Sequence, residues 1–257
     1  MKYIEYAVSE RIAFITLNRP EKSNALCHEL VSELKQAFHD AEQDGDVKVV
    51  ILKANGDAFC AGADLDYLQS LQNFSYEQNL ADSNHLKELY LTIYQLKKVV
   101  ISQVHAHALA GGCGLATVCD FSYASTEANF GYTEVKIGFV PAIVMVFLIR
   151  KVGETRAKQL LLGGAIISAD EALMMGLINH VSEGSQLEEK VLEFARQLIE
   201  NNSSSSMSIT KQMFSKVQSL HIEDALTFAS EANAKARASE DCKRGIAAFL
   251  NKERVSW

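Results

Sequence analysis

The chain has 257 residues, 48% hydrophobic and 22% charged, a composition that closes one sizeable core in an ordinary globular fold. Its formal net charge of −7, with no Lys/Arg block longer than two residues, disfavours nucleic-acid binding, which needs a basic face to displace phosphate counterions. Five scattered cysteines without a Cys-x-x-Cys pair argue against a zinc framework or a disulfide scaffold and fit a reducing cytoplasm.

In chain order, Ile4–Val8 and Ile12–Leu17 read as two strands joined by Ser9-Glu10-Arg11 in a hairpin, and Pro20 ends the second. Ser23 and Asn24 are candidate caps for a helix over Leu26–Ala41, where Leu26, Leu30, Leu34 and Phe38 recur at helical spacing. Asp46–Ala54 is the next strand, and strands alternating with helices predict repeated ββα or βαβ units. A short segment, 64–72, and a polar stretch, 73–84, precede a helix over about His85–Leu96. Val99–Val104 is a buried strand that runs into the glycine cluster Gly111, Gly112 and Gly114 and a helix to Val118. Phe121–Ala124 is a further strand, and Asn129–Glu134 places a carboxylate just beyond another short one. Ala142–Arg150 is an apolar helix; Thr155–Leu162 and Ala169–Met175 are shorter, the second capped by Ser168 and closed by Gly176 ahead of a strand over Leu177–Val181. Residues 186–251 read as helix broken near the run Asn201–Ser206, with no internal repeat and no run of 18 apolar residues anywhere, so neither export nor a membrane span is expected.

Glycines between a strand and a helix let the backbone approach a ligand, and the free N–H groups of a helix start favour developing negative charge. A lone Gly-Gly commonly turns a corner and nothing more. Here a second junction, Phe59-Cys60-Ala61-Gly62-Ala63-Asp64-Leu65, also puts small residues after a strand. Two such corners can converge on one oxygen and stabilise an enolate or a tetrahedral oxyanion. The seven histidines lack metal-ligand spacing apart from His105 and His107, and there is no Gly-x-Ser-x-Gly elbow and no nucleotide-loop spacing, so no metal, serine triad or dinucleotide is expected.

With these motifs the chain resembles the crotonase superfamily of enoyl-CoA hydratases and isomerases. The resemblance rests on Asn18-Arg19-Pro20-Glu21-Lys22-Ser23-Asn24-Ala25-Leu26, Phe59–Asp64, Ala108–Asp120, Phe130-Gly131-Tyr132-Thr133-Glu134 and Glu240-Asp241 with Gly245–Lys252, in order over nearly the whole chain. It implies an α/β crotonase fold, a spiral of repeated ββα units over residues 1–185, with a C-terminal helical subdomain, 186–257, that covers the site and packs in a homotrimer or a dimer of trimers. It implies an acyl-CoA thioester substrate with no further cofactor. The N–H groups of Ala63 and Gly111 are the implied oxyanion donors and Glu134 the implied acid/base. CoA binding is implied at Lys22, Ser23, Ala25, Ala61, Asp64, Leu65, Gly112, Phe249 and Lys252, with Lys22 toward a phosphate or, equally, a solvated surface lysine.

The departures narrow the expectation. Two-glutamate hydratases resembled here carry a second glutamate where this chain has Gly114, and one carboxylate suffices for an isomerase, which lifts a proton from one carbon and returns it to another. Val140-Pro141-Ala142-Ile143-Val144-Met145-Val146 replaces a glycine-rich turn, and with Thr133–Gly138 and Ala248–Lys252 it resembles a bacterial branch of 3-methylglutaconyl-CoA hydratase type in leucine degradation. The expectation is hydration of a 2-enoyl-CoA, branched or carboxylated, by Glu134 and a water held by an unassigned group, with Tyr132, Tyr67 and Asp66 as candidates. If the substrate has its own carboxylate, Lys136 or Arg150 would meet it or, equally, both are surface charges. The alternatives are a delta3,delta2-enoyl-CoA isomerase and a non-catalytic CoA-thioester-binding protein.

Overall fold

The computed structural model describes residues 1–257. Glu10 and Arg11 both take left-handed angles, φ 51° and 65°, the two-residue turn that pairs Ser9 with Ile12 and joins β1 (Ile4–Ser9) to β2 (Ile12–Leu17). The strands that follow are β3 (Val49–Ala54), β4 (Ala58–Cys60), β5 (Val99–Val104), β6 (His107–Leu109), β7 (Phe121–Ser125), β8 (Asn129–Gly131), β9 (Ile166–Ser168) and β10 (His180–Ser182). They form a six-stranded sheet of order β1-β2-β3-β5-β7-β10 and a four-stranded sheet of order β4-β6-β8-β9. All neighbours are parallel except β1 with β2 and β8 with β9.

Between strands lie α1 (His28–Gln43), α2 (Leu65–Leu71), α3 (Tyr76–Gln95), α4 (Gly111–Val118), α5 (Ala142–Gly163) and α6 (Ala169–Met175). Three successive passes repeat one path: β3-β4, β5-β6 and β7-β8 each send the first strand to the large sheet and the second to the small one before a helix. This is the expected ββα spiral. The repeat is in the path of the chain, although no repeat stands out in its residues.

The strands of the large sheet read as unbroken apolar runs because both faces are covered. Ile12, Val49, Ile51, Val99 and Ile101 pack with Leu187, Val191, Ala195, Leu198 and Ile199 of α7 (Gly184–Asn201). Their alternates, Ala13, Ile15, Val50, Leu52 and Val100, join the larger core with Leu30, Leu34 and Phe38 of α1. α7 therefore belongs to the core, and the part that stands off begins at α8 (Ser204–Val217), later than residue 186, followed by α9 (Ile222–Ala238) and α10 (Glu240–Asn251). Across α8–α10 only Lys211 is buried. No helix is long and apolar enough to cross a membrane.

Several boundaries differ from expectation for physical reasons. Ser23 and Asn24 do not cap α1: both have left-handed backbone angles, and α1 starts at His28 behind Cys27, without a side-chain cap. The Asn24 amide instead donates to the carbonyls of Asn55 and Ala58, 2.8 Å each, and ties this loop to the start of β4. α3 begins at Tyr76 because Ser75 and Gln78 form a reciprocal capping box, so most of the polar stretch is helix. The two helices expected over 142–150 and 155–162 are both present and follow one another across a break at Gly153, φ 77°. The last strand comes at His180–Ser182, after Leu177 and Ile178 have entered the core.

Candidate active site

The first corner is held from below by Leu26, which bridges Ala63 in parallel. Leu26 N–H donates to the Gly62 carbonyl at 2.6 Å, and Asp64 N–H donates to the Leu26 carbonyl at 2.9 Å. The Asp64 carboxylate accepts from Asp66 N–H at 2.8 Å and Tyr67 N–H at 3.2 Å, capping α2, and its other oxygen meets Arg19 at 2.6 Å in a shielded ion pair. Asp64 is thus occupied in building the corner.

The second corner follows β6. Ala110 sits at φ 49°, ψ −125°, a conformation costly for a residue with a Cβ, about 1–3 kcal/mol, and its N–H donates to the Gly131 carbonyl at 2.7 Å. The corners touch with no side chain between them. A Cβ on Gly62 would lie 2.8 Å from the Ala110 Cβ and 3.6 Å from the Gly111 nitrogen, and one on Gly112 would lie 2.1 Å from the Cys60 carbonyl oxygen. Gly111 opens α4, so its N–H has no partner inside the helix. Neither this N–H nor that of Ala63 donates to any group of the chain. These are two free donors in adjacent corners.

The third element comes from the end of β8. Glu134 opens a 3₁₀ turn, Glu134–Ile137, and is half-buried, with its Oε2 buried and unpartnered. Burial raises its pKa above the ordinary carboxylate value, against a smaller opposing effect of its own backbone N–H. The corner thiols are not rival nucleophiles, since burial pushes Cys60 and Cys113 up to about 12.

A cavity of about 300 Å³ is shared by Ala61, Ala63, Leu65, Gly111 and Glu134, with apolar walls from α1, α2, α3 and α5. Asp82 is its other carboxylate, and no Lys or Arg lines it. Of the remaining expected contacts, Lys22 pairs with Asp66 at 2.8 Å on the surface, Ser23 accepts from Ala61 N–H at 3.0 Å and Ala25 is buried. None of these lines the cavity, and neither do Asp64, Gly112, Phe249 or Lys252; Phe249 is 82% exposed and Lys252 is the left-handed cap of α10.

The water-holding candidates also separate. Tyr132 is fully buried with its hydroxyl 3.0 Å from Thr117 Oγ1, Asp66 belongs to the surface pair, and only Tyr67 lines the cavity. Lys136 is exposed. Arg150 lines a separate space of about 950 Å³ bounded by α4, α5 and the C-terminal helices. There Lys151 donates to the carbonyls of Thr117 and Cys119, at 2.7 and 3.1 Å, which places a cation at the negative end of the helix whose positive end is Gly111.

The second-glutamate position is closed. A Cβ on Gly114 would lie 2.3 Å from Val144 Cγ1 and 3.1 Å from the Tyr90 hydroxyl. Tyr90, fully buried on α3, donates that hydroxyl to the Gly111 carbonyl at 2.6 Å.

The model of the enoyl-CoA hydratase/isomerase family matches residues 7–257. The chain belongs to this family. It is 41% identical to a Thermus thermophilus protein provisionally named an enoyl-CoA hydratase, over 94% of this chain and 95% of that one. It is 34% identical to the short-chain-enoyl-CoA hydratase of Clostridium acetobutylicum, over 95% and 93%. Among solved structures, an enoyl-CoA hydratase from Mycobacterium smegmatis superposes with a TM-score of 0.94 at 30% identity, over 99% of this chain and 98% of that one. For a hydratase/isomerase, an acyl-CoA thioester fits the paired donors and the apolar cavity. Sequence reading missed Asp82 because the polar start of α3 shows no apolar stripe, the Ser75…Gln78 pair being the available sign, and it missed Tyr90, inside the expected helix, because nothing local marks the far partner of its hydroxyl.

Proposed function

We propose that this enzyme adds water to an uncharged 2-enoyl-CoA. The observation that supports this most directly is the meeting of two free N–H donors, at Ala63 and Gly111, with the half-buried carboxyl of Glu134 in one cavity. The thioester oxygen accepts from both donors, and as water bonds to C3 the C2=C3 electron pair moves onto that oxygen. Each donor of this kind contributes about 3–4 kcal/mol to the transition state. Glu134, whose pKa burial raises above the ordinary carboxylate value, gives its proton to C2. A carboxylated acyl group, expected from the 3-methylglutaconyl-like motifs, would find two carboxylates and no Lys or Arg in the cavity, which supports an uncharged chain instead.

Isomerisation of a 3-enoyl-CoA is the second reading, favoured by the closure of position 114 by Val144 and Tyr90. Incubation with crotonyl-CoA and 3-hexenoyl-CoA in deuterated water, followed by mass spectrometry, separates the two. Hydration gives a product heavier by water, lost in Glu134→Gln; a 2-enoyl product from 3-hexenoyl-CoA and none from hydration overturns the first reading. We further propose that the exposed Phe214, Leu226, Ile246, Phe249 and Leu250 of α8–α10 are covered by other copies in a trimer or dimer of trimers, which light scattering checks directly. Lys22, anchored beside the first corner by Asp66, is the proposed contact for a CoA phosphate.

A further inference from the structure

We infer that Asp82, on α3, is the general base that holds and deprotonates the attacking water, in the role that no residue of α4 can fill. This rests on the hydration reading. Hydration through an enolate needs one group to take a proton from water and another to give a proton to C2. Glu134 gives; the taker is open, because a side chain at position 114 would collide with Val144 and Tyr90.

Asp82 is the one other carboxylate lining the cavity. It is half-buried, yet no donor of the chain reaches it and no cation pairs with it. A carboxylate withdrawn from bulk water with no partner retains free acceptor sites, and a held water satisfies them.

Its titratable neighbours are two histidines. Burial raises the Asp82 pKa above the ordinary carboxylate value, against smaller opposing effects that the His28 ring of α1 and the His85 ring of α3 exert when charged. The His85 ring is fixed from both sides: Nδ1 lies 3.1 Å from Lys35 Nζ, and Nε2 lies 3.1 Å from Ser32 Oγ and 3.2 Å from the His28 carbonyl. A lysine ammonium only donates, so Nδ1 accepts, Nε2 carries the hydrogen and His85 is neutral; behind it Lys35 continues to Glu88 at 2.7 Å. The His28 ring stacks on His85 at 4.1 Å. From α2 only Tyr67 brings a titratable group to this cavity.

The step balances without another reactant. The water oxygen bonds to C3, its proton passes to Asp82, the C2=C3 pair moves to the thioester oxygen, and the enolate takes the Glu134 proton at C2. Asp82 ends protonated and Glu134 ionised, and exchange with solvent resets both.

The test is crotonyl-CoA hydration across pH by the full-length enzyme, Asp82→Asn and Asp82→Glu, with melting temperature and stabilisation by a CoA thioester measured alongside. The expected result for Asp82→Asn is a fall in kcat of roughly 10²–10⁴ with KM and thioester binding kept. The acid limb of the rate profile, where Asp82 gains its proton, disappears, and the alkaline limb, where Glu134 loses its own, stays. Partial recovery in Asp82→Glu supports the assignment even if the amide variant melts early. Hydration by Asp82→Asn at the parental rate with both limbs intact overturns it and leaves the hydration reading standing. A parent that shifts the double bond of 3-hexenoyl-CoA and adds no water to crotonyl-CoA overturns both.

Discussion

The two walls of the cavity are built to different tolerances. The corner wall is over-determined: Gly62 and Gly112 leave no space for a methyl group, Ala110 is held in a strained conformation by the Gly131 carbonyl, and Tyr90 fixes the Gly111 carbonyl from behind. The wall from α2 and the start of α3 is loosely held. α2 has no buried residue, and Leu65, Tyr76 and Leu80 are exposed. Donors for a developing oxyanion work only if they are in place before charge appears, whereas an apolar acyl chain needs area and no exact partner. The contrast therefore separates reaction from recognition.

Changing the proposed reacting group, Glu134, should have the largest effect. Glu134→Gln is expected to lower turnover roughly 10²–10⁴-fold with KM nearly unchanged. Because the folded state favours the protonated form of Glu134, ionisation costs the parent stability as pH rises through the raised pKa. The variant should then melt above the parent at alkaline pH and lose that advantage below the ordinary carboxylate range. Thermal melts from pH 4 to 8 check the sign.

Breaking the rigid wall comes next. Gly112→Ala would set a methyl against the Cys60 carbonyl, with an expected loss of about 1–3 kcal/mol in urea unfolding and a fall in kcat as the corners part. Tyr90→Phe removes one buried hydrogen bond, about 0.5–1.5 kcal/mol, and should lower kcat more than it raises KM. The smallest stability effect is expected on the other wall. Leu71→Ala, at a half-buried position lining the cavity, should stay within about 1 kcal/mol of the parent, since little packing is lost there, yet shift the preference between crotonyl-CoA and longer 2-enoyl-CoAs. Equal sensitivity of both walls in these measurements would remove the distinction.

The same division decided what was legible in the chain. The glycine junctions at 62–63 and 111–112 could be read because backbone geometry restricts residue type, the carboxylate after Phe130-Gly131 through the family resemblance, and the structure brings Ala63, Gly111 and Glu134 to one cavity. β4, β6 and the α3 start were hidden: three-residue strands have no period to detect, and α3 opens on polar residues. Asn24 was misread as a helix cap because capping and loop-pinning use the same amide chemistry; its partners, Asn55 and Ala58, are distant in sequence. Asp82 carried no local sign at all, since a polar helix start looks the same whether it faces solvent or a cavity.

The three ββα passes also bear on how such a site can change over time. Ala63 lies just past β4, Gly111 just past β6 and Glu134 just past β8, so each pass delivers one part by the same route. Two of the parts are backbone groups, insensitive to most substitutions of their own side chains, and the third is a side chain that a single codon can replace. If the proposed roles hold, a lineage built on this chain could therefore exchange one chemistry for another at the third position while inheriting the proposed grip on the thioester intact.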